Sequence, residues 1–249
     1  MLALIIDFAF GVAMGALGGF FGIGGGLIAI PVMTIIFEQS QKLAQGTALV
    51  MMVPNLVLAF WRYQQRTPLN WPLVFPLAGA GFICAGVGAR LATKMDAQVI
   101  QFGFAILMIF LAMLNLVRAR LAAISKSLTH PTSSRLAVLG TGCGALGGFF
   151  GVGASVVAVP VLTGVFGLTQ VAAQGMALSL ALPSSLVTLV TYGIGGHVNW
   201  SMGSAMALGG LLSVSWGVKW AYRAPEAVLC GLFSLFLLGC AGLLILRQF

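Results

Sequence analysis

A chain of 249 residues that is 60% hydrophobic and 6% charged, with a mean hydropathy of +1.08, lies far from a soluble domain, where roughly 45–50% apolar and about 25% charged residues are usual. It reads as an integral membrane protein with no soluble domain. The net charge of +8, from 12 Lys and Arg against 4 Asp and Glu, is spread over short inter-helix loops without a basic stripe, which argues against nucleic-acid binding and fits the positive bias of cytoplasmic loops.

The first residues, Met1 to Asp7, lack the basic region of a secretory signal and no small-residue cleavage site follows, so a retained N-terminus is expected. An apolar stretch, 2–37, then runs past Gly22, Gly24, Gly25 and Gly26. As one helix it would measure about 54 Å at 1.5 Å per residue, against a hydrocarbon core of about 30 Å. Four glycines in five positions unwind a helix readily, and Pro31 suits the first turn of a second short helix. Ordinary spans of about 20 residues follow near 43–61, 73–92 and 97–117. A polar linker, 119–135, is expected in the cytoplasm. A second long stretch, 136–166, is broken at Gly151 to Ser155, and spans near 172–191, 202–220 and 226–246 complete the chain.

The second half repeats the first at a constant offset of 129: residues 16–34 and 145–163 share 12 identities in 19 positions. The same offset pairs Pro31 with Pro160, Gln45 with Gln174, Pro54 with Pro183, Tyr63 with Tyr192 and Asn70-Trp71 with Asn199-Trp200. The fold expected is an all-α polytopic membrane protein made of two repeats, 1–118 and 136–249, each a glycine-broken helix pair followed by three transmembrane helices. Duplicated halves whose matching positions are glycine-interrupted apolar segments point to a transporter with its site between the repeats.

Loop charge weighs two topologies. Re-entrant breaks give three crossings per half and inverted repeats, and place Arg62, Arg66, Arg118, Arg120, Lys126, Arg135, Lys219 and Arg223 on one side, eight basic residues against four. Fully spanning breaks give parallel halves and a seven-to-five split. The inverted arrangement is favoured, with both termini outside the cytoplasm. Trp61, Trp71, Trp200, Trp216 and Trp220 fall near expected helix ends, where amphipathic rings settle at the headgroups.

Asp7, Glu38, Asp96 and Glu226 all fall near span ends, so an anion inside the membrane would be held by neutral donors. Backbone N–H groups at a half-helix N-terminus are such donors and add the positive end of the helix dipole. Gly24, Gly25 and Gly26, with Gly153, Ala154 and Ser155, form two candidate ends; their small residues also suit close helix packing, which is the reading preferred for Gly18-Gly19 and Gly147-Gly148. Polar side chains recur by repeat position: Gln45 with Gln174, and Asn55 with Ser184 beside Pro54 and Pro183, with Thr47, Ser179 and Ser185 on the same spans. Each suits either a substrate pocket or an inter-helix hydrogen bond. Arg62, whose counterpart is Thr191, reads as an interfacial anchor in preference to a gate.

Cys84, Cys143, Cys230 and Cys240 are isolated in apolar runs and read as packing residues, with neither a disulfide nor a metal site. No zinc motif, phosphate-cradling loop or dinucleotide setting is present, so no cofactor is expected and ATP-driven transport within this chain is excluded. An intramembrane hydrolase with Ser155 as nucleophile and His197 as base is the weaker alternative, because Val156 stands where a glycine usually follows such a nucleophile.

The doubled pattern Gly-Gly-Phe-Phe-Gly-Ile-Gly-Gly-Gly-(x)4-Pro31, then Ala44-Gln-Gly-Thr-Ala48, with its copy ending at Asn199-Trp200, resembles the sulfite exporter TauE/SafE family of membrane permeases over almost the whole chain. That resemblance implies a secondary permease of the bacterial cytoplasmic membrane, often an exporter, for sulfite, thiosulfate, sulfoacetate or similar anions. The expected partners are the small anion and the lipid bilayer, and association of copies of the chain is compatible with this class. A passive anion channel is the alternative in the same broad class. The second copy departs at Ala154-Ser155 and at Met176, where the first has Gly25-Gly26 and Thr47.

Overall fold

The two breaks divide the chain where glycine permits a backbone that other residues resist. The computed structural model describes residues 2–22, 24–65, 71–121, 132–223 and 226–246. Among them the fold is all-helical: α1 Leu2–Phe21, α2 Gly26–Ile35, α3 Gln41–Gln64, α4 Trp71–Lys94, α5 Ala97–Leu121, α6 Ser133–Phe150, α7 Ser155–Gly164, α8 Gln170–Ile194, α9 Trp200–Ala221 and α10 Glu226–Leu246. Five of these (α1, α3, α4, α5 and α8) are long and apolar enough to cross a membrane. Positive φ at Gly22, Gly24 and Gly25, and at Gly151 and Gly153, turns the chain back after α1 and after α6. Each broken stretch is therefore a hairpin of one long and one short helix. Its fold-back is tight: the Gly24 N–H donates to the Gly18 carbonyl at 3.3 Å, and a Cβ at Gly147 would lie 2.6 Å from the Ala154 nitrogen.

Pro31 and Pro160 are each the sixth residue of their short helices, in the second turn and not the first as expected. Thr34 and Thr163 cover carbonyls near these prolines, Thr34 donating to Ile30 and Pro31 at 3.0 and 2.9 Å and Thr163 to Val159 and Pro160 at 2.6 and 3.1 Å. These are not the carbonyls that the prolines leave without a donor, which belong to Leu27 and Val156; the hydroxyls bond back within their own helices, as threonine does in a helix interior.

Glycine also sets the helix pairing. α1 packs along α9, where Gly11, Gly15 and Gly19 lie against Met206, Gly210 and Val214, while α6 packs along α4, where Gly140, Gly144 and Gly148 lie against Leu77, Gly81 and Ala85. In both pairs residue number rises together, so each pair is parallel. At most of these positions a Cβ would meet partner backbone, so the helices approach to backbone contact, the association mode of membrane helices that lack a hydrophobic drive. Gly19 and Gly148 thus have the packing role expected of them.

α3 and α8 cross at the centre. The start of α3 lies beside the end of α8 and the reverse, as the pairs Gln45–Tyr192 and Gln174–Tyr63 require; the two helices run in opposite directions. α10 packs along α5 on the outside. The ends of α3 and α9 meet through the Tyr63 and Tyr222 rings, 5.4 Å apart, and the start of α4 joins them through Phe60 and Trp71 at 6.5 Å. Arg62, Lys219 and Arg223 share this end with Arg135 in the first turn of α6. Lys42, whose ammonium donates to the Thr93 carbonyl at 3.0 Å, marks the opposite end. Arg66 and Lys126 lie outside the described residues. The five tryptophans are all more than two-fifths exposed and stand at helix ends, as an interfacial belt requires.

Candidate substrate site at the two helix breaks

The structure places Gly26 and Ser155 as the first residues of α2 and α7, so the breaks proper are 22–25 and 151–154. Both helices then open an N-terminal turn onto the centre of the bundle. In α2 the Ile28 and Ala29 N–H groups donate to Gly25 at 3.2 and 3.0 Å; in α7 the Ala158 N–H donates to Ala154 at 3.1 Å. The preceding amides of each first turn have no intrahelical acceptor, as at any helix start.

Met52 lies between the breaks. Its side chain is 2.7 Å from a Cβ built on Gly24, 2.5 Å from one on Gly26 and 2.9 Å from one on Gly153. The two glycine turns therefore converge to within one thioether side chain. Leu56 closes the rest of the first break, 2.8 Å from the Gly24 position, while the Ser185 hydroxyl oxygen lies 3.0 Å from the Gly153 position. Neither Met52 nor Ser185 stood among the strongest candidates of the sequence: methionine in an apolar run carries no signal of a site, and its repeat counterpart is Ala181.

Gln45 and Gln174 each reach the other half. The Tyr63 hydroxyl donates to Gln174 Oε1 at 2.8 Å, and Gln174 Nε2 donates to the Phe21 carbonyl at 3.0 Å. Tyr192 donates to Gln45 Oε1 at 2.8 Å, and Gln45 Nε2 is buried with no partner among the described residues. The glutamine stems pack on glycine of the opposite break, Gln174 on Gly22 and Gln45 on Gly151.

The remaining polar candidates divide. Thr47 accepts from the Asn199 N–H at 3.0 Å and so ties the start of α9 to α3. Ser179 donates to Met176 at 2.6 Å, and Ser184 to Leu180 and Ala181 at 2.8 and 3.0 Å, all within α8. Asn55 packs on Gly210 of α9 with neither its amide nitrogen nor its oxygen bonded. Ser155 and Ser185 are fully buried with hydroxyls that have no partner among the described residues; Ser155 is therefore not joined to His197, whose ring stands by Tyr192 at 6.5 Å. Arg62 stacks on Trp61 at 5.0 Å at the helix end, the anchor geometry. Asp7 lies within α1 and is 8% exposed, more buried than a helix-end residue would be.

The site is closed and uncharged, lined by neutral donors and by glycine turns that bring backbone close. Against known proteins, a sequence model described as "Sulfite exporter TauE/SafE" matches residues 7–244. Relatives include a "Probable membrane transporter protein" of Xylella fastidiosa, 26% identical over 96% of this chain and 92% of its own length. Two from Bacillus subtilis are similar: "Probable membrane transporter protein YunE", 23% identical over 96% of this chain and 97% of its own length, and "Probable membrane transporter protein YdhB", 26% identical over 99% and 100%. These relatives and the apolar helices make the chain a multi-pass membrane protein, of the inner membrane in a bacterium. A match over nearly the whole chain means that this protein belongs to the sulfite exporter TauE/SafE family of membrane transporters.

Proposed function

We propose that the chain is a secondary permease that moves a small sulfur-containing anion by alternating access between two inverted repeats, residues 1–118 and 136–249, joined by a cytoplasmic linker at 119–135. The observation that carries this reading is the exchange of glutamines. Gln45 of the first half sits on Gly151 of the second, and Gln174 of the second sits on Gly22 of the first. Because these positions correspond across the 129-residue offset while α3 and α8 run oppositely, inverted repeats account for both facts at once.

The candidate donors for the anion lie at the two breaks, Gly24 to Gly26 and Gly153 to Ser155, with Gln45 and Gln174 beside them. Thr47, Asn55, Ser179 and Ser184 stand behind them on α3 and α8; Thr47 ties α3 to the start of α9, while the Ser179 and Ser184 hydroxyls bond back within α8. Neutral donors suit an oxyanion that must also leave, since a fixed positive charge would bind it too firmly in a low-dielectric interior. With Gln45, Gln174, Ser155 and Ser185 all fully or almost fully buried, access requires the halves to move, and the two Tyr–Gln links span the surface along which they would do so. The basic end carrying Arg62, Arg135, Lys219 and Arg223 faces the cytoplasm.

The test is uptake into proteoliposomes of sulfite, thiosulfate, sulfoacetate, taurine and sulfate at two pH values. Saturable uptake of at least one anion, with counter-transport from preloaded vesicles, is expected. Flux that stays linear with concentration and shows no counter-transport would overturn the carrier.

A further inference from the structure

We infer that the anion is held by the second break alone, at the α7 N-terminus with the Ser155 and Ser185 hydroxyls and the Gln45 amide, while the first break is an apolar plug. This inference rests on the permease reading above and assigns its seat to one half. Three independent asymmetries support it.

The first is in the side chains. Ser155 and Ser185 have as repeat counterparts Gly26 and Leu56. Around Gly24 and Gly26 the neighbours are therefore Leu56 and the Met52 thioether, and around Gly25 they include the Met51 methyl at 3.4 Å from a Cβ position; around Gly153 the Met52 methyl at 2.9 Å is joined by the Ser185 hydroxyl at 3.0 Å. An anion at the first break would meet methyl and methylene groups that cannot replace its water.

The second is in the glutamines. Gln174 Nε2 is engaged by the Phe21 carbonyl at 3.0 Å, whereas Gln45 Nε2, beside the second break, is buried with no partner among the described residues. Three buried donors near Gly151 and Gly153, two hydroxyls and one amide, thus lack partners among the described residues. Buried polar groups in native proteins are almost always bonded, to protein, water or ligand, and three such donors beside one glycine turn suit a small oxyanion.

The third is in the backbone. In α2 the Ile28 N–H bonds back to Gly25 at 3.2 Å, and in α7 the corresponding bond of Val157 is not formed. One more amide of the α7 turn is left to face a ligand. Met52, flexible and set between the breaks, occupies the space beside this seat and must turn aside when the anion enters; unbranched thioethers do so at little cost.

The experiment measures thiosulfate and sulfite binding to the purified full chain by titration calorimetry, with melting temperature recorded for each variant. Ser155→Ala and Ser185→Ala should each weaken binding about tenfold at an unchanged melting temperature. Leu56→Met and Met51→Leu, which keep apolar volume at the first break, should stay within about twofold of the parent. The inference is overturned if the serine variants bind like the parent, or if the first-break variants weaken binding as much as they do. Should the parent itself bind neither anion, it is the proposed substrate class that fails, before any variant is compared.

Discussion

Tyr192 donates its hydroxyl to Gln45 Oε1 at 2.8 Å across 147 positions of chain, and no other partner among the described residues holds the Gln45 side chain. The matching Tyr63–Gln174 bond has the same length, but Gln174 also donates to Phe21. The two links between the halves are therefore alike in geometry and unequal in redundancy. One glutamine is fixed at two points and the other at one.

Tyr192→Phe should accordingly cost more stability than Tyr63→Phe. The first leaves a buried amide with no partner among the described residues, within the 1–3 kcal/mol typical of an unsatisfied buried group, while the second leaves Gln174 one bond and should stay near the ~0.6 kcal/mol mean for single hydrogen bonds between membrane helices. Thermal unfolding in detergent ranks the two. Equal losses would mean that the Phe21 bond contributes nothing.

The all-helical, membrane-spanning character was legible in the sequence, because the glycine breaks and the apolar span lengths are written in residue type and spacing. The hairpin at each break follows from glycine at 22, 24 and 25 and at 151 and 153, and the matching bonds of Gln45 to Tyr192 and of Gln174 to Tyr63 fit the common offset of these residues. Met52 and Leu56 were not legible, since an apolar residue beside a break looks like any other in a chain that is 60% hydrophobic. Nor were the roles of Thr47, Ser179 and Ser184, because a hydroxyl that caps a helix or bonds back within its own turn has the same letter as one that meets a ligand.

Neutral polar groups should govern recognition more than fixed charges do. A Gln45→Leu, Gln174→Leu double variant is expected to lose at least tenfold in saturable uptake, while Asp7→Asn and Glu38→Gln each retain most of it. Near-parental uptake by a correctly inserted double variant would leave the glutamines as packing residues.

The orientation of the bundle can be read chemically. Cysteines at Gln65 and Arg223, exposed at the basic end, should be shielded from an impermeant thiol reagent in intact cells, whereas cysteines at Met95 and Gly196, exposed at the other end, should label. A native-thiol-free background removes interference from Cys84, Cys143, Cys230 and Cys240. Labelling of both sets from one side contradicts the inverted arrangement.

Glycines in this fold differ sharply in what they tolerate. A Cβ at Gly19 would run into the Val214 carbonyl, and one at Gly25, held at φ 83°, would lie 2.6 Å from the Met14 carbonyl, so both Gly19→Ala and Gly25→Ala should lower the yield of folded protein. Left-handed backbone adds roughly 1–2 kcal/mol at Gly25. By contrast, Gly79 in α4 and Gly142 in α6 have nothing within 4 Å of the Cβ position; alanine there should be neutral or should raise stability by up to about 1 kcal/mol through helix propensity. Monodispersity and melting temperature separate the two groups.

His197, in the turn between α8 and α9, carries a pH dependence whose sign follows from its surroundings. Burial, and secondarily the Lys42 ammonium, lower its pKa from the ordinary value of 6.5. The unfolded chain then takes up a proton near pH 6.5 while the folded protein resists until a lower pH. Between those two values the unfolded state binds more protons, so stability is full above pH 6.5, falls as the pH drops through the window, and levels once the folded imidazole is also protonated. The melting temperature of the parent should therefore decline from pH 7.5 to pH 5, beyond what the carboxylates cause. His197→Gln should remove that share of the decline, and Lys42→Gln should shrink it, because the second and smaller cause of the shift is gone. A parent and a His197→Gln variant with superimposable profiles would show that the imidazole is not held in its neutral form by the fold.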